Sequence, residues 1–150
     1  MEKFLIKFIE FFNLERQVIS RDDGSKYLTR FYVFRKTRWW MPSIYIHCFH
    51  SGDHDYCLHS HPWLISASLI LSGQYLEERR DKKDRIYSRV LSPGNINIIA
   101  ANDFHRVDLL SDKVWTLFVS GAKVQTWGFW NRDTGKFVNH ADFTGDDSTK

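Results

Sequence analysis

The sequence contains little cysteine and little net charge. Only two of its 150 residues are cysteines, Cys48 and Cys57, and 21 basic against 18 acidic side chains leave a net charge of +3. Two cysteines are too few for a disulfide framework, so we expect a reduced, cytoplasmic protein. The small charge excess argues against nucleic acid as a partner, because proteins that bind it usually carry a domain-wide surplus of lysine and arginine.

Long apolar runs are also missing. No stretch approaches the ~20 apolar residues that a membrane span needs, so we expect no membrane partner. The apolar start, Met1 to Leu14, is interrupted by Lys7 and Glu10 and is not followed by a small-residue cleavage site. We therefore interpret this segment as part of the folded protein.

Aromatic residues, by contrast, are abundant. They make up 16% of the chain, and 43% of all residues are hydrophobic. A chain of 150 residues corresponds to one domain of ordinary size. Bulky rings have high β-propensity, so this composition favours a sheet-based core over a helical bundle.

The first segment, residues 1–15, has the pattern of an amphipathic helix. Its apolar residues recur at spacings of three and four, with charged residues between them. We expect this apolar face to pack on the rest of the protein; the alternatives are a dimer contact or a membrane-surface anchor. The residues of the predicted face are Phe4, Leu5, Phe8, Phe11 and Phe12.

Residues 16–143 are dominated by short strand patterns separated by turn signals, which indicates a β-sandwich or barrel. The last residues, 144–150, offer nothing apolar to bury, and we expect them to be disordered. The predicted strands are Tyr27–Arg35, Ser43–His50, Leu58–His61, Ile65–Ser72, Gln74–Arg79, Arg85–Leu91, Asn95–Ala100, His105–Leu110, Val114–Ser120 and Val124–Phe129.

Three histidines form the most informative pattern. His59 and His61 are one residue apart in a predicted strand, so a period of two places both imidazoles on one face. His105 begins another predicted strand whose inward face continues with Val107 and Leu109. Imidazole nitrogens that converge on one point are typical metal ligands, so we predict a metal site on these three histidines.

The spacing around these histidines resembles the two motifs of cupins, G-x5-H-x-H-x3–4-E-x6-G and G-x5-P-x-G-x2-H-x3-N. His59 and His61 begin the first motif, and Gly73 stands where it closes. Gly94 and His105 keep the spacing of the second. The departures are Ser66 at the glutamate position, Ala100 at the proline, Asn102 at the second glycine and Leu109 at the asparagine.

A closer resemblance covers most of the chain. It is similar to a small cupin family of bacteria and phages that has an H-x-H-P-W motif and no established activity. The resemblance implies an all-β, double-stranded β-helix: a jelly-roll-like barrel with one N-terminal helix. The matching segments are Tyr27–Arg30, Leu58–Trp63, Gly73–Glu77, His105–Val107, Trp115–Leu117 and Trp127–Trp130.

Many metal cupins complete their site with a glutamate, and Ser66 replaces it here. What remains resembles the three-histidine site of thiol dioxygenases, which use iron(II). The resemblance therefore implies one divalent metal ion, with iron(II) expected and zinc, manganese or nickel as alternatives. Zinc on three histidines would suit Lewis-acid chemistry.

Strand phase indicates further residues of the site. Cys57 is in register with His59 and His61, so its thiol is a candidate for metal or substrate contact; the alternative is a buried inert cysteine. Ser66 and Ser68 share a face and are expected to line a polar cavity, unless they only accommodate neighbouring rings.

Two further strands offer polar candidates. Tyr75 and Glu77 share a face, and we expect Tyr75 as a catalytic proton donor or acceptor, with a surface-facing pair as the alternative. Arg30 lies on an apolar face, where an arginine needs a partner. That partner is either an anionic group of the substrate or an internal carboxylate.

The expected function is that of an iron oxygenase acting on a small polar or thiol-bearing molecule. Two alternatives stay open: a metal-dependent isomerase, lyase or hydrolase, and a non-catalytic barrel that binds a small ligand or a partner. Cupins often pair through barrel edges, so a homodimer is also expected.

Overall fold

The structure is a computed structural model and describes residues 1–21, 23–53, 56–81 and 83–142. The predicted tail, 144–150, lies outside the described residues. One helix, α1 (Glu2–Phe11), precedes the strands. These are β1 (Arg16–Ser20), β2 (Lys26–Phe34), β3 (Ser43–Phe49), β4 (Leu58–His59), β5 (Ile65–Ser72), β6 (Tyr75–Arg80), β7 (Ile86–Leu91), β8 (Ile96–Ala100), β9 (His105–Leu109), β10 (Val114–Ser120), β11 (Gly128–Trp130) and β12 (Phe137–Asn139).

The strands form two six-stranded sheets. The first has the order β1-β2-β3-β10-β5-β8 and the second β12-β11-β4-β9-β6-β7. From β3 to β11 the chain passes repeatedly from one sheet to the other, and every pairing is antiparallel. This is the connectivity of a jelly roll, and it confirms the all-β class with one N-terminal helix.

Most predicted strands are observed, and the main differences concern β1, β4, β11 and β12. β4 stops at His59, and β11 occupies Gly128–Trp130 instead of the predicted Val124–Phe129. β1 and β12 were not predicted. β1 is exposed on both faces over most of its length, so it lacks the apolar alternation that marks a half-buried strand, and β12 has only three residues.

The helix packs on the first sheet through two residues, Leu5 and Ile9. Their spacing of four places them on one face of α1, and both are buried. Phe8 packs beside them and is partly buried. The sheet residues that meet them are Ile46, Cys48 and Trp115.

The predicted apolar face of the helix was wrong at three positions. Phe4, Phe11 and Phe12 are 66%, 83% and 56% exposed, respectively. The helix ends at Phe11, and the chain turns at Asn13 with a φ of 46°, so the last aromatic residues lie beyond the contact with the sheet.

Strand β3 is buried on both of its faces. Ile46 and Cys48 face α1, while Tyr45 and His47, at alternate positions, are buried on the side between the sheets. Burial beneath the helix also raises the pKa of the Cys48 thiol to about 11, so this thiol stays protonated and inert near neutral pH.

Gly73 occupies the turn between β5 and β6. Its φ of +79° is a conformation that other residues rarely adopt, and an added Cβ would lie 2.2 Å from the Lys113 carbonyl oxygen. The backbone conformation and the close Lys113 carbonyl therefore explain why glycine occupies the closing position of the first motif.

In the part of the chain that the structure describes, α1 is ten residues long, and no helix there is long and apolar enough to cross a membrane.

Replacing Leu5 by alanine is expected to lower the free energy of unfolding by about 3 kcal/mol, because it removes a buried side chain from the contact between α1 and the sheet. Phe11→Ala is the matched control: its ring is exposed, so its effect should stay within about 0.5 kcal/mol. Urea denaturation of both variants measures the difference. A larger loss for Phe11→Ala would contradict the observed helix face.

Candidate functional site

A cavity of about 480 Å³ lies between the two sheets. Much of its wall is apolar and aromatic, with Phe49, Trp63, Phe118 and Phe129 among the lining residues. The polar residues that line it are Arg21, Arg30, His47, Asp53, Cys57, His59, His61, Ser68, Tyr75, Asn97 and His105.

The three predicted histidines meet at this cavity. His59 on β4 is the direct cross-strand partner of His105 on β9, and His61 follows β4. The ring centroids are 4.6 Å apart for His59 and His105, 5.1 Å for His59 and His61, and 5.0 Å for His61 and His105. One nitrogen of each ring lies within 4.8 Å of the others, an arrangement that could hold a divalent metal ion.

His105 is oriented by the carboxylate of Glu77. The Nδ1 atom of His105 lies 2.8 Å from Oε1 of Glu77, and the Glu77 side chain is fully buried. A proton on Nδ1 donates to this carboxylate and leaves Nε2 as the ligand atom. That Nε2 atom lies 2.8 Å from Nε2 of His61, so the two nitrogens face one another.

Glu77 is itself held by donors from neighbouring strands. Arg89 Nε donates to Oε2 at 2.7 Å, and Oε1 accepts bonds from Asn97 Nδ2 at 2.8 Å and Arg79 at 3.3 Å. Burial alone would raise the pKa of Glu77, but the hydrogen bond and charge of His105, with Arg79 and Asn97, lower it to about 2. Glu77 is therefore ionised near neutral pH.

Asp53 occupies the corresponding position beside His59. Its Oδ2 atom lies 3.5 Å from Nδ1 of His59 and accepts a bond from the backbone N–H of Val107 at 2.7 Å. Its Oδ1 atom accepts the hydroxyl of Tyr27 at 2.6 Å. Asp53 is thus fixed by two donors and can orient His59 from outside the cluster.

Burial keeps His59 and His61 neutral. It lowers the pKa of His59 to about 4, despite the opposing effect of the Asp53 carboxylate. Burial and the neighbouring imidazoles also hold the pKa of His61 well below its usual range. A histidine must be neutral to bind a metal ion, so both rings have the required protonation state near neutral pH.

Cys57 and Ser68 line the cavity, as their strand phase predicts. Cys57 is buried but does not belong to the group of ligand atoms that the three histidines form. Ser66 is not among the residues that line this cavity. Its register partner on β8 is Ile99, and its hydroxyl donates to the Ile99 carbonyl oxygen at 3.4 Å, which turns it toward the neighbouring strand.

Tyr75 and Glu77 face the interior of the barrel, so the alternative of a surface pair was wrong. Tyr75 is buried and lines the cavity, and its hydroxyl oxygen accepts a bond from Asn97 Nδ2 at 3.2 Å. Burial raises the pKa of Tyr75 to about 12. Its hydroxyl is therefore protonated near neutral pH and can act as a donor.

Arg30 also lines the cavity, and its partner is not a carboxylate. Its Nε donates to Nε2 of His47 at 3.2 Å, and its guanidinium carbon lies 4.9 Å from the centroid of the Tyr45 ring. Among the described residues, no carboxylate lies within ion-pair distance of Arg30.

Sequence reasoning missed the roles of Asp53, His47 and Asn97, and it considered Glu77 only as a proton donor or acceptor. Asp53 follows Ser51-Gly52 and has the signature of an ordinary turn residue. Glu77 is followed by Glu78, so charge gives no indication of which of the two points inward. A visible signal was the placement of Glu77 on the same strand face as Tyr75.

No family model and no curated protein matches the sequence. Solved structures do match the fold. Oxalate decarboxylase from Bacillus subtilis superposes with a TM-score of 0.56 at 13% identity, over 75% of this chain and 28% of that protein. Hydroxypropylphosphonic acid epoxidase from S. wedmorenis does so with a TM-score of 0.54 at 14% identity, over 71% of this chain and 55% of its own.

A substrate complex of iron(II) HppE gives a TM-score of 0.57 at 13% identity, over 71% of this chain and 56% of that chain. The chain thus spans about half or less of the length of these neighbours. At such low identity the likeness concerns the fold. It confirms the all-β, jelly-roll-like barrel that the resemblance implied.

Glu77→Gln is expected to lower the free energy of unfolding by about 3 kcal/mol, because it leaves Arg79 and Arg89 beside a neutral amide. Glu78→Gln is the matched control on the opposite strand face, where it contacts Arg106 and Arg132 near the surface. Its expected cost is about 1 kcal/mol. Denaturation in the presence of a chelator isolates this difference from metal binding. Equal losses would contradict the central position of Glu77.

Proposed function

We propose that this chain is a mononuclear iron(II) oxygenase that acts on a small polar or thiol-bearing molecule inside the barrel. The observation that carries the proposal is the group formed by His59, His61 and His105 at a cavity of about 480 Å³. No other histidine, cysteine, aspartate or glutamate among the described residues belongs to this group. Iron(II) HppE, a neighbour in fold, supports the choice of metal.

The donor set fits one divalent ion. The imidazoles of the three histidines would hold it, with His105 oriented by Glu77 and His59 by Asp53. Iron(II) held by these residues would supply the redox chemistry that an oxygenase needs.

The remaining residues of the cavity bind the substrate and control protons. Aromatic side chains such as Phe118 and Trp63 provide an apolar wall that excludes water from the reacting molecule. Tyr75 presents a protonated hydroxyl, whose oxygen is positioned by Asn97. We assign Tyr75 the role of a general acid or hydrogen-bond donor, since a group with so high a pKa is a poor base near neutral pH.

A second candidate is a Lewis-acid enzyme, such as a lyase, hydrolase or isomerase. Three neutral histidines are also a common ligand set for catalytic zinc. Oxalate decarboxylase has this fold, although the present chain covers only 28% of it. Catalysis that does not depend on oxygen would distinguish this candidate from the oxygenase, and a cavity without metal would indicate a non-catalytic binding protein.

The protein as purified is expected to contain about one equivalent of metal per chain, and His59→Ala, His61→Ala and His105→Ala are each expected to lose most of it. His50→Ala is the matched control, because His50 bonds to Thr29 and lies outside the cluster. Elemental analysis measures metal content, and an oxygen electrode measures uptake against a panel of small thiols and polar acids.

Iron that is lost in the three variants, together with oxygen uptake, would support the oxygenase. Zinc lost in the same way would favour the Lewis-acid enzyme. Retention of metal in all three variants, or no binding of iron(II), manganese, nickel or zinc to the wild type, would contradict the proposed site.

With a substrate from that panel, Tyr75→Phe is expected to lower turnover about 100-fold, because it removes the hydroxyl group, which is the proton donor of this side chain. The metal content should not change, since Tyr75 is not a ligand. Tyr87→Phe serves as control, because Tyr87 is 44% exposed on β7. Initial rates of oxygen uptake give the comparison, and a Tyr75→Phe enzyme with normal turnover would exclude the assigned role.

A further inference from the structure

Arg30 differs from Arg79, Arg89 and Arg106 in the kind of partner that it contacts. Arg79 and Arg89 both contact the carboxylate of Glu77, and Arg106 contacts Glu78. Arg79 also contacts Asp103, and Arg106 also contacts Asp108, so each of these arginines has a carboxylate partner within the protein. Arg30 instead donates its Nε–H to His47, and the structure shows no carboxylate near it among the described residues.

The partners of Arg30 are electrically neutral. Burial and the adjacent Arg30 charge lower the pKa of His47 to about 3, so the ring that accepts the Nε–H bond is uncharged near neutral pH. His47 is fixed between Tyr45 and Phe118, with ring centroids 5.6 and 5.0 Å away and nearly parallel planes. The guanidinium is therefore held in place without being neutralised.

The two terminal nitrogens of Arg30 have no hydrogen-bond partner among the described residues. Since Arg30 lines the cavity, these nitrogens are accessible to a molecule inside it. A planar fork of two N–H donors matches the two oxygens of a carboxylate. Arg30 is partly buried, and a ligand that supplies an anion to its guanidinium would form a charge-assisted pair there.

A row of aromatic rings connects Arg30 with the histidine cluster. From His47 the row continues to Phe118, then to Trp63 at 5.5 Å, and from Trp63 to His61 at 5.6 Å. Arg30 lies at one end of this row and the cluster at the other. Arg30 and the three histidines line the same cavity.

We propose that the cavity binds a small carboxylic acid whose carboxylate pairs with Arg30 and whose apolar body lies along Phe118 and Trp63. As the substrate class of the oxygenase, this inference rests on the proposed function. The binding site itself consists of residues outside the histidine cluster, so it can be tested without metal.

The probes are phenylacetate, its neutral analogue phenylacetamide, and benzylphosphonate. Dissociation constants are measured by ligand-observed NMR, with the full chain as purified and again after treatment with a chelator. Phenylacetate is expected to bind at least about tenfold more tightly than the amide, because only the acid forms a charge-assisted bidentate pair.

Arg30→Gln is expected to weaken phenylacetate binding by about tenfold or more, and Arg30→Lys by less, since lysine keeps the charge but not the fork. Arg35→Gln is the matched control: Arg35 is exposed, directly follows the same strand and pairs with Glu15. It should bind phenylacetate as the wild type does. If Arg30→Gln fails to fold, the acid–amide comparison on the wild type and the lysine variant decide the question.

Equal binding of acid and amide, no binding of the acid at millimolar concentration, or equal affinity in Arg30→Gln would overturn the proposal. Tighter binding of benzylphosphonate would overturn it in favour of a phosphorylated ligand. If phenylacetate binding is lost after chelator treatment and is unchanged in Arg30→Gln, the carboxylate binds the metal, and this result also overturns the proposal. A protein without metal that still binds phenylacetate through Arg30 would retain this inference while the oxygenase proposal fails.

Discussion

The buried carboxylate of Glu77 accepts hydrogen bonds from His105, Arg89, Asn97 and Arg79, which lie on four consecutive strands. Moving a carboxylate from water into a protein interior costs several kcal/mol, and only a full set of donors offsets that cost. The donors therefore have little freedom to rearrange independently. The same carboxylate orients His105, so the packing of β6 to β9 and the geometry of the histidine cluster have a common origin.

The charged side chains near Glu77 and near Arg30 differ in their partners. Near Glu77, the arginines contact carboxylates of the protein itself. Around Arg30, a neutral imidazole and a tyrosine ring hold the cation without balancing it. The second arrangement is possible because β3 is buried on both faces, with α1 covering one side and the aromatic rings fixing His47 on the other.

Much of the fold was predictable from periodicity, since strands with one buried face show alternation. The histidine cluster was predictable as well, because His59 and His61 share a face and the cupin spacing includes His105. The missing parts have physical causes. β1 is exposed on both faces over most of its length. Leu5 and Ile9 make the contact between α1 and the sheet. Neighbouring phenylalanines are also hydrophobic, so the sequence does not indicate which of these residues are buried. Asp53, the partner of His59, lies in a turn, and His47, the partner of Arg30, lies on another strand. Local sequence patterns do not predict such contacts between distant segments.

Asn97 belongs to β8, which lies at the edge of the first sheet, yet its amide binds Glu77 in the second. Edge strands have one unpaired side and are the parts of a sheet that open most readily in local fluctuations. Each such opening would also withdraw a donor from Glu77 and loosen the orientation of His105. The orientation of His105 is thereby linked to the opening of an edge strand in the other sheet, and amide exchange along β8 would measure how often that opening occurs.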